Sequence, residues 1–232
     1  MNDWFEWKGK RCTDYGIHVV RQPEIMRPNE RVTFTAIPGR SGTLTMQEGW
    51  DVYDDFLLSV ECIIRDITQL NSMLAWLKGS DKVTFAHRQG GFYYAHVVNQ
   101  ISLDQILRGH AHRRFVLNFR CQPFFYLTDV QNITVTASGT YVTNPGSMSS
   151  EPKLAITLTG DAEITVGGSY FALSGLTGIV TVDAALMETY QDYTSRNSHM
   201  SGDYPTLLTG QNIITWTGGV TKVVITPNWR ML

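Results

Sequence analysis

The sequence of 232 residues predicts a mainly β protein of two domains with one α-helix, and three observations carry that expectation. Apolar residues recur mostly with a period of two, as a pleated strand with one buried face requires. A single stretch, residues 66–79, switches to helical spacing. Beyond residue 127 the composition shifts to Thr, Ser, Gly and Val in short runs broken by turn residues, which suggests a compact β-sandwich. A boundary near 127–131 gives a first domain of 1–129 and a second of 130–232.

Two strand-like runs flank "AIPGRSGTLT" (36–45) and predict a β-hairpin over 31–50 with Pro38–Gly42 at or near its tip. In "DFLLSVECII", Phe56, Leu58, Val60, Cys62 and Ile64 share one face and Leu57, Ser59, Glu61 and Ile63 the other. "DITQLNSMLAWLKG" places Ile67, Leu70, Leu74 and Leu77 at helical spacing, with Asp66 as N-cap, Gln69 three residues later and Gly79 as the stop. "KVTFA" and "GFYYAHVVNQI" read as extended. In "RFVLNFRCQPFF", Phe115, Leu117, Phe119 and Cys121 alternate with Val116, Asn118 and Arg120. The second domain offers "NITVTA", "KLAITLTG", "AEITVGG" and "GIVTVD", then a polar connection over 183–210, then two last strands, "NIITWTG" and "KVVITPNW".

Charge narrows the partners. With 19 basic and 21 acidic side chains the net charge is -2, which provides no field to gather nucleic acid or an anionic membrane. Hydrophobic residues at 43% exclude a disordered chain. Cys12, Cys62 and Cys121 are widely separated and odd in number, which argues against a disulfide framework and a cysteine zinc site. The start, "MNDWFEWKGK", lacks the basic and apolar regions of an export signal, and no apolar run reaches the ~20 residues of a membrane helix, so a soluble chain is expected.

The search for chemistry returns little. "PGRSG" matches neither nucleotide loop pattern and does not open a helix, so it reads as a turn rather than a phosphate cradle. His110 and His112 share a face if extended, but no third ligand stands at a suitable spacing. Asp54 and Asp55 are adjacent and point apart in a strand. No nucleophile elbow is present, so no enzyme, cofactor or metal is expected. Trp216, Trp229, Tyr190, Tyr193 and Tyr204 open a different class, a carbohydrate-binding host-adhesion protein. The two tryptophans fit the sandwich core better.

Several of these pieces fall in a telling order: Pro38, Gly39, Arg40 and Gly42; Trp76, Leu77 and Gly79; Cys121, Pro123, Phe124 and Tyr126. They continue with Asn144, Gly146, Pro152 and Gly160, then Asp203, Tyr204, Pro205, Leu207, Gly210 and Asn212, and Trp229 near the end. In that order the sequence resembles the distal tail proteins of long-tailed bacteriophages. The resemblance implies a tail-tube-like first domain and a galectin-like second one. It further implies a hexameric ring between the tail tube protein and the tail-tip hub protein, with DNA passing the lumen and receptor-binding proteins docking outside. The location would be the distal end of the virion tail, after assembly in the host cytoplasm, with no membrane insertion. Under it the 38–42 hairpin would cross between subunits. Arg108, Arg113, Arg114 and Arg120 would face a lumen or interface, or else be solvated strand charges. "NPGS" at 144–147 lacks the galectin sugar-binding pattern, which points to a structural member.

Overall fold

The computed structural model describes residues 3–49, 51–64, 68–105 and 113–232. Asp66, Ile67, Arg108, His110 and His112 lie outside the described residues. The chain divides into two units, Met1–Phe125 with Leu232, and Tyr126–Met231. The division falls a few residues ahead of 129 because Leu127 already donates its backbone N–H to Trp229 O inside the second unit (2.9 Å).

In the first unit, β1 (Phe5–Trp7), β2 (Lys10–Arg11), β3 (Ile17–Arg21), β4 (Val32–Ala36), β5 (Thr43–Gln47) and β6 (Phe56–Ile64) precede α1 (Leu70–Trp76). After it come β7 (Ser80–Phe85), β8 (Arg88–Val97), β9 (Asp104–Gln105) and β10 (Arg113–Cys121). The main sheet runs β2-β1-β7-β8-β10-β6-β3, with β9 on β10, and β4 and β5 form a separate two-stranded sheet. Its centre is the antiparallel β6/β10 pair, in the register Leu58↔Phe119, Val60↔Leu117 and Cys62↔Phe115. All six side chains are buried, as the alternation in both segments requires. A slip of one residue would turn the entire set to the other face, so burial fixes the register.

That buried face packs aromatic rings. Phe119 lies 5.5 Å from Phe5, 5.4 Å from Trp7 and 5.9 Å from Phe85, all nearly inaccessible. Burying each such ring contributes roughly 1.5–3 kcal/mol. The helix differs from the expectation. It starts at Leu70, after Gln69, which makes no side-chain cap, and it spans only seven residues. Its buried face is Met73, Trp76 and Leu77, whereas Leu74 is 39% exposed. The leucine stripe loses to Trp76, which stacks on Tyr15 at 4.5 Å and on Phe5 at 5.9 Å and so turns the helix toward the aromatic cluster. Gly79, at φ +87°, follows the cap as the stop signal predicts.

Strand β11 (Phe125–Leu127) leads into β12 (Ile133–Val135), β13 (Thr140–Asn144), β14 (Lys153–Val166), β15 (Ser169–Leu173) and β16 (Gly178–Asp183). They are followed by β17 (Glu188–Gln191), β18 (Thr194–Ser195), β19 (Met200–Gly202), β20 (Gly210–Thr226) and β21 (Arg230–Met231). Two expectations are corrected here. The runs read as four short strands are two long ones, β14 and β20, paired along their length. Between Leu158↔Val220 and Ala162↔Gly218, residues 159–161 stand opposite Gly219 alone, a bulge rather than a turn. Thr159 and Thr221 donate their hydroxyls to Gly219 O and Thr157 O across it, which stitches the pairing together.

The second correction concerns 183–210, which is not a structureless connection. It contains β17, β18 and β19, with Tyr190 opposite Thr181 and Leu173 opposite Met200. Its polar outward residues hide inward positions that are fully buried, Thr189 on β17 and Leu207, which bridges to Ser150. The first halves of the long strands carry different neighbours from the second: β20 pairs first with β13 and then with β12, while β14 pairs first with β16 and then with β15. Residues of all these strands, from Val142 and Leu154 to Phe171, Val182, Ile214 and Ile225, belong to one core cluster. The bulge therefore lets one sheet bend over a shared core.

Candidate functional site

Residues 32–47 build the most exposed feature of the first unit. Strands β4 and β5 pair from Val32↔Gln47 to Ala36↔Thr43, and every side chain from 33 to 49 is exposed. At the tip, Arg40 N donates to Ile37 O (3.1 Å), which closes a four-residue turn. Pro38 occupies its second position and Gly39, at φ +76°, its third, the arrangement of a type II turn. Gly42, at φ +81°, then returns the chain to β5. The glycines serve backbone geometry.

The hairpin has a wired base. Arg31 N donates to Val52 O (3.0 Å), Glu48 N to Arg31 O (3.2 Å) and Asp54 N to Asn29 O (2.9 Å). The Arg31 guanidinium donates to Asp54 at 2.8 Å and lies 3.8 Å from Glu48, and the Asp54 hydrogen bond holds its pKa above the ordinary arginine value. Asp54 and Asp55 point to different partners, since Asp55 accepts from Arg120 Nε and from Arg120 Nη2 at 3.0 Å. That bond keeps the Asp55 carboxyl below the usual carboxylate range. Of the arginines singled out in the sequence, Arg120 is thus closed in an ion pair. Arg113 is half-buried at the start of β10, and Arg114 is exposed on the outward face of the sheet.

Two clefts on that outward face were not read from the sequence. One, of about 330 Å³, is lined by Arg21, Glu24, Met26, Leu57, Ser59 and Val116, with Glu61 at its wall. A second, of about 300 Å³, adjoins it across Glu61 and Val116, which are cross-strand partners, and reaches Arg114 and Val20. In the first cleft Arg21 lies 3.3 Å from Glu24 and 3.7 Å from Glu61, so one guanidinium serves two carboxylates. Leu57 and Val116 are 46% and 43% exposed. The signal was present: "DFLLSVECII" is apolar on both faces, which a strand with one solvated face has no reason to be.

In the second unit the aromatic candidates separate. Trp229 is in the core, and Trp216 and Tyr204 pack against it. Tyr190 is half-buried, while Tyr193 is fully exposed in the turn between β17 and β18. Several residues of the ordered motif form a buried amide knot. Asn144 Nδ2 donates to Met148 O (3.0 Å) and Leu207 O (3.1 Å), and its Oδ1 accepts from Gly146 N (2.8 Å). Asn212 Nδ2 donates to Leu208 O (2.7 Å) and Gly210 O (3.0 Å), and its Oδ1 accepts from Leu208 N (2.8 Å). A Cβ on Gly146 would meet Arg230 O at 2.3 Å. These motif positions hold loops in place.

Among the described residues no helix is long and apolar enough to cross a membrane. No family model and no curated protein matches the sequence. Among solved structures, the chain is similar to the Dit protein (gp 19.1) of SPP1, described as a paradigm of the hub adsorption apparatus in phages that infect Gram-positive bacteria. The TM-score is 0.73 at 16% identity, over 96% of this chain and 97% of that one. At that identity the likeness shows a shared fold, mainly β with one helix, across nearly the full length of both chains.

Proposed function

We propose that the chain is a structural protein of a phage tail tip. Its first unit assembles with copies of itself into a hexameric ring that joins the tail tube protein to the tail-tip hub protein, with DNA passing through the lumen. The second unit, a galectin-like sandwich, docks receptor-binding proteins. The residues that matter are assembly contacts, the hairpin at Pro38, Gly39, Arg40 and Gly42 among them, rather than catalytic groups. The observation that carries this reading is the end-to-end likeness to a phage hub protein. The hairpin supports it: a two-stranded ribbon exposed on both faces is marginal in water, and a neighbouring copy supplies the missing cover. Negative-stain imaging of the purified protein, alone and mixed with tail tube and hub proteins, tests it by the presence or absence of closed rings.

Tyr193 favours a second reading, carbohydrate binding during host adhesion, because its ring stands fully exposed. Glycan or cell-wall retention that Tyr193→Ala abolishes would support it; no retention by the wild type would remove it.

A further inference from the structure

We propose that the cleft between Arg21, Glu24, Leu57, Glu61 and Val116 is the seat for the hairpin tip of a second copy of this chain, with Arg40 of one copy entering between Glu24 and Glu61 of the next. This inference rests on the ring reading and adds the acceptor surface to it.

Charge is the first argument. From Val32 to Gln47 the hairpin carries a single charged side chain, Arg40, at its tip. The cleft carries Arg21 against Glu24 and Glu61, a net charge of -1, with both carboxylates sharing one guanidinium. A second guanidinium gives each carboxylate its own partner and neutralises the cleft. The nearby Asp55 is already held by Arg120 and does not compete for Arg40.

Apolar surface is the second. Ribbon pairing places Thr33, Thr35, Leu44 and Met46 on one face, with Ile37 following at the turn, and Ile37, Leu44 and Met46 are 38%, 40% and 49% exposed. The cleft offers Leu57, Val116 and Met26 at 46%, 43% and 37%. Apolar side chains left exposed on both surfaces gain by covering each other. Since residues 33–49 are all exposed, the hairpin does not cover its own chain's cleft.

A disulfide trap between copies tests this. One preparation carries Ser41→Cys at the hairpin tip, the other Ser59→Cys in the cleft; the native thiols at Cys12, Cys62 and Cys121 are buried and do not interfere. Mixed and oxidised, the two should give a linked pair of chains on a non-reducing gel, and neither should alone. Arg40→Glu should cut the yield several-fold, and combining it with Glu24→Lys and Glu61→Lys in the cleft copy should restore it. Mixed rings that form without any link would overturn the seat and leave the ring reading standing. Copies that never associate, even with tail partners present, would overturn both.

Discussion

Trp7 and Trp76, 69 residues apart, exchange hydrogen bonds: Trp7 Nε1 donates to Trp76 O (3.1 Å) and Trp76 Nε1 donates to Trp7 O (3.0 Å). This reciprocal pair ties β1 to the end of α1 and fixes which helical face is buried. Trp76→Phe keeps most of the apolar ring but removes one donor from a buried carbonyl, and it should cost about 1–3 kcal/mol. Trp76→Ala also loses the stacking on Tyr15 and Phe5 and should cost about 3–5 kcal/mol. Hydrogen exchange at β1 and β7 reads both; protection in Trp76→Phe equal to that of the wild type would refute the hydrogen-bond contribution.

The Asn144 knot gives a second expectation. Asn144→Ala leaves Met148 O, Leu207 O and Gly146 N without their side-chain partner at a site 2% exposed, and should destabilise the second unit by about 2–4 kcal/mol. Asn144→Asp places a carboxylate oxygen against two carbonyls and should cost at least as much. Urea denaturation measures both, and a loss below about 1 kcal/mol would contradict the role assigned to the side chain.

At the bulge, Gly218 has φ +80° and a Cβ there would meet Asp161 O at 2.3 Å, whereas a Cβ on Gly160 meets nothing within 4 Å. Gly218→Ala should therefore lower stability by roughly 1–3 kcal/mol through backbone conformation alone, with the clash added. Gly160→Ala should be near neutral. The comparison in one denaturation series separates strand continuation through a bulge from two strands joined by a turn.

The cysteines set a pH dependence. Burial pushes the Cys12 thiol up to about 11 and the Cys121 thiol up to about 12, and it raises Cys62 as well. From about pH 9 upward the unfolded chain ionises these thiols while the folded chain holds the protons, so stability is full below that pH and falls above it. The loss is about 1.4 kcal/mol per pH unit for each thiol. Cys121→Ala should make the decline between pH 9 and 10.5 shallower by about that amount per unit. An unchanged slope, or fast native-state labelling of three thiols at pH 8, would contradict the burial argument.

The hairpin supplies the fifth expectation. Deleting residues 37–43 should weaken ring assembly at least tenfold in concentration, while circular dichroism of the second unit's strands stays native. Loss of both, or of neither, would count against the assembly role.

How much was legible varies with how local the physics is. Period-two burial in 56–64 and 113–121 follows from the pleat alone, and the buried face of both strands was readable, although the second run was read as far as Phe125 where the strand ends at Cys121. The tip of the 32–47 hairpin was readable for the same reason, since Pro38 and Gly39 encode one turn. The helix face was misread because Trp76 acts through a partner 69 residues away. The long strands β14 and β20 were cut in two because a glycine that permits close approach at a bulge looks, in isolation, like a glycine that ends a strand. The cleft was missed for a related reason: the apolar outer face of 56–64 hints at a partner, but Arg21, Glu61 and Val116 come together only through strand order.

The central claim is assembly, and sedimentation followed by negative-stain imaging of the purified chain, alone and with tail tube and hub proteins, tests it most directly. The expected result is a closed sixfold ring, formed alone at high concentration or in the presence of those partners. A chain that remains monomeric under both conditions would contradict it.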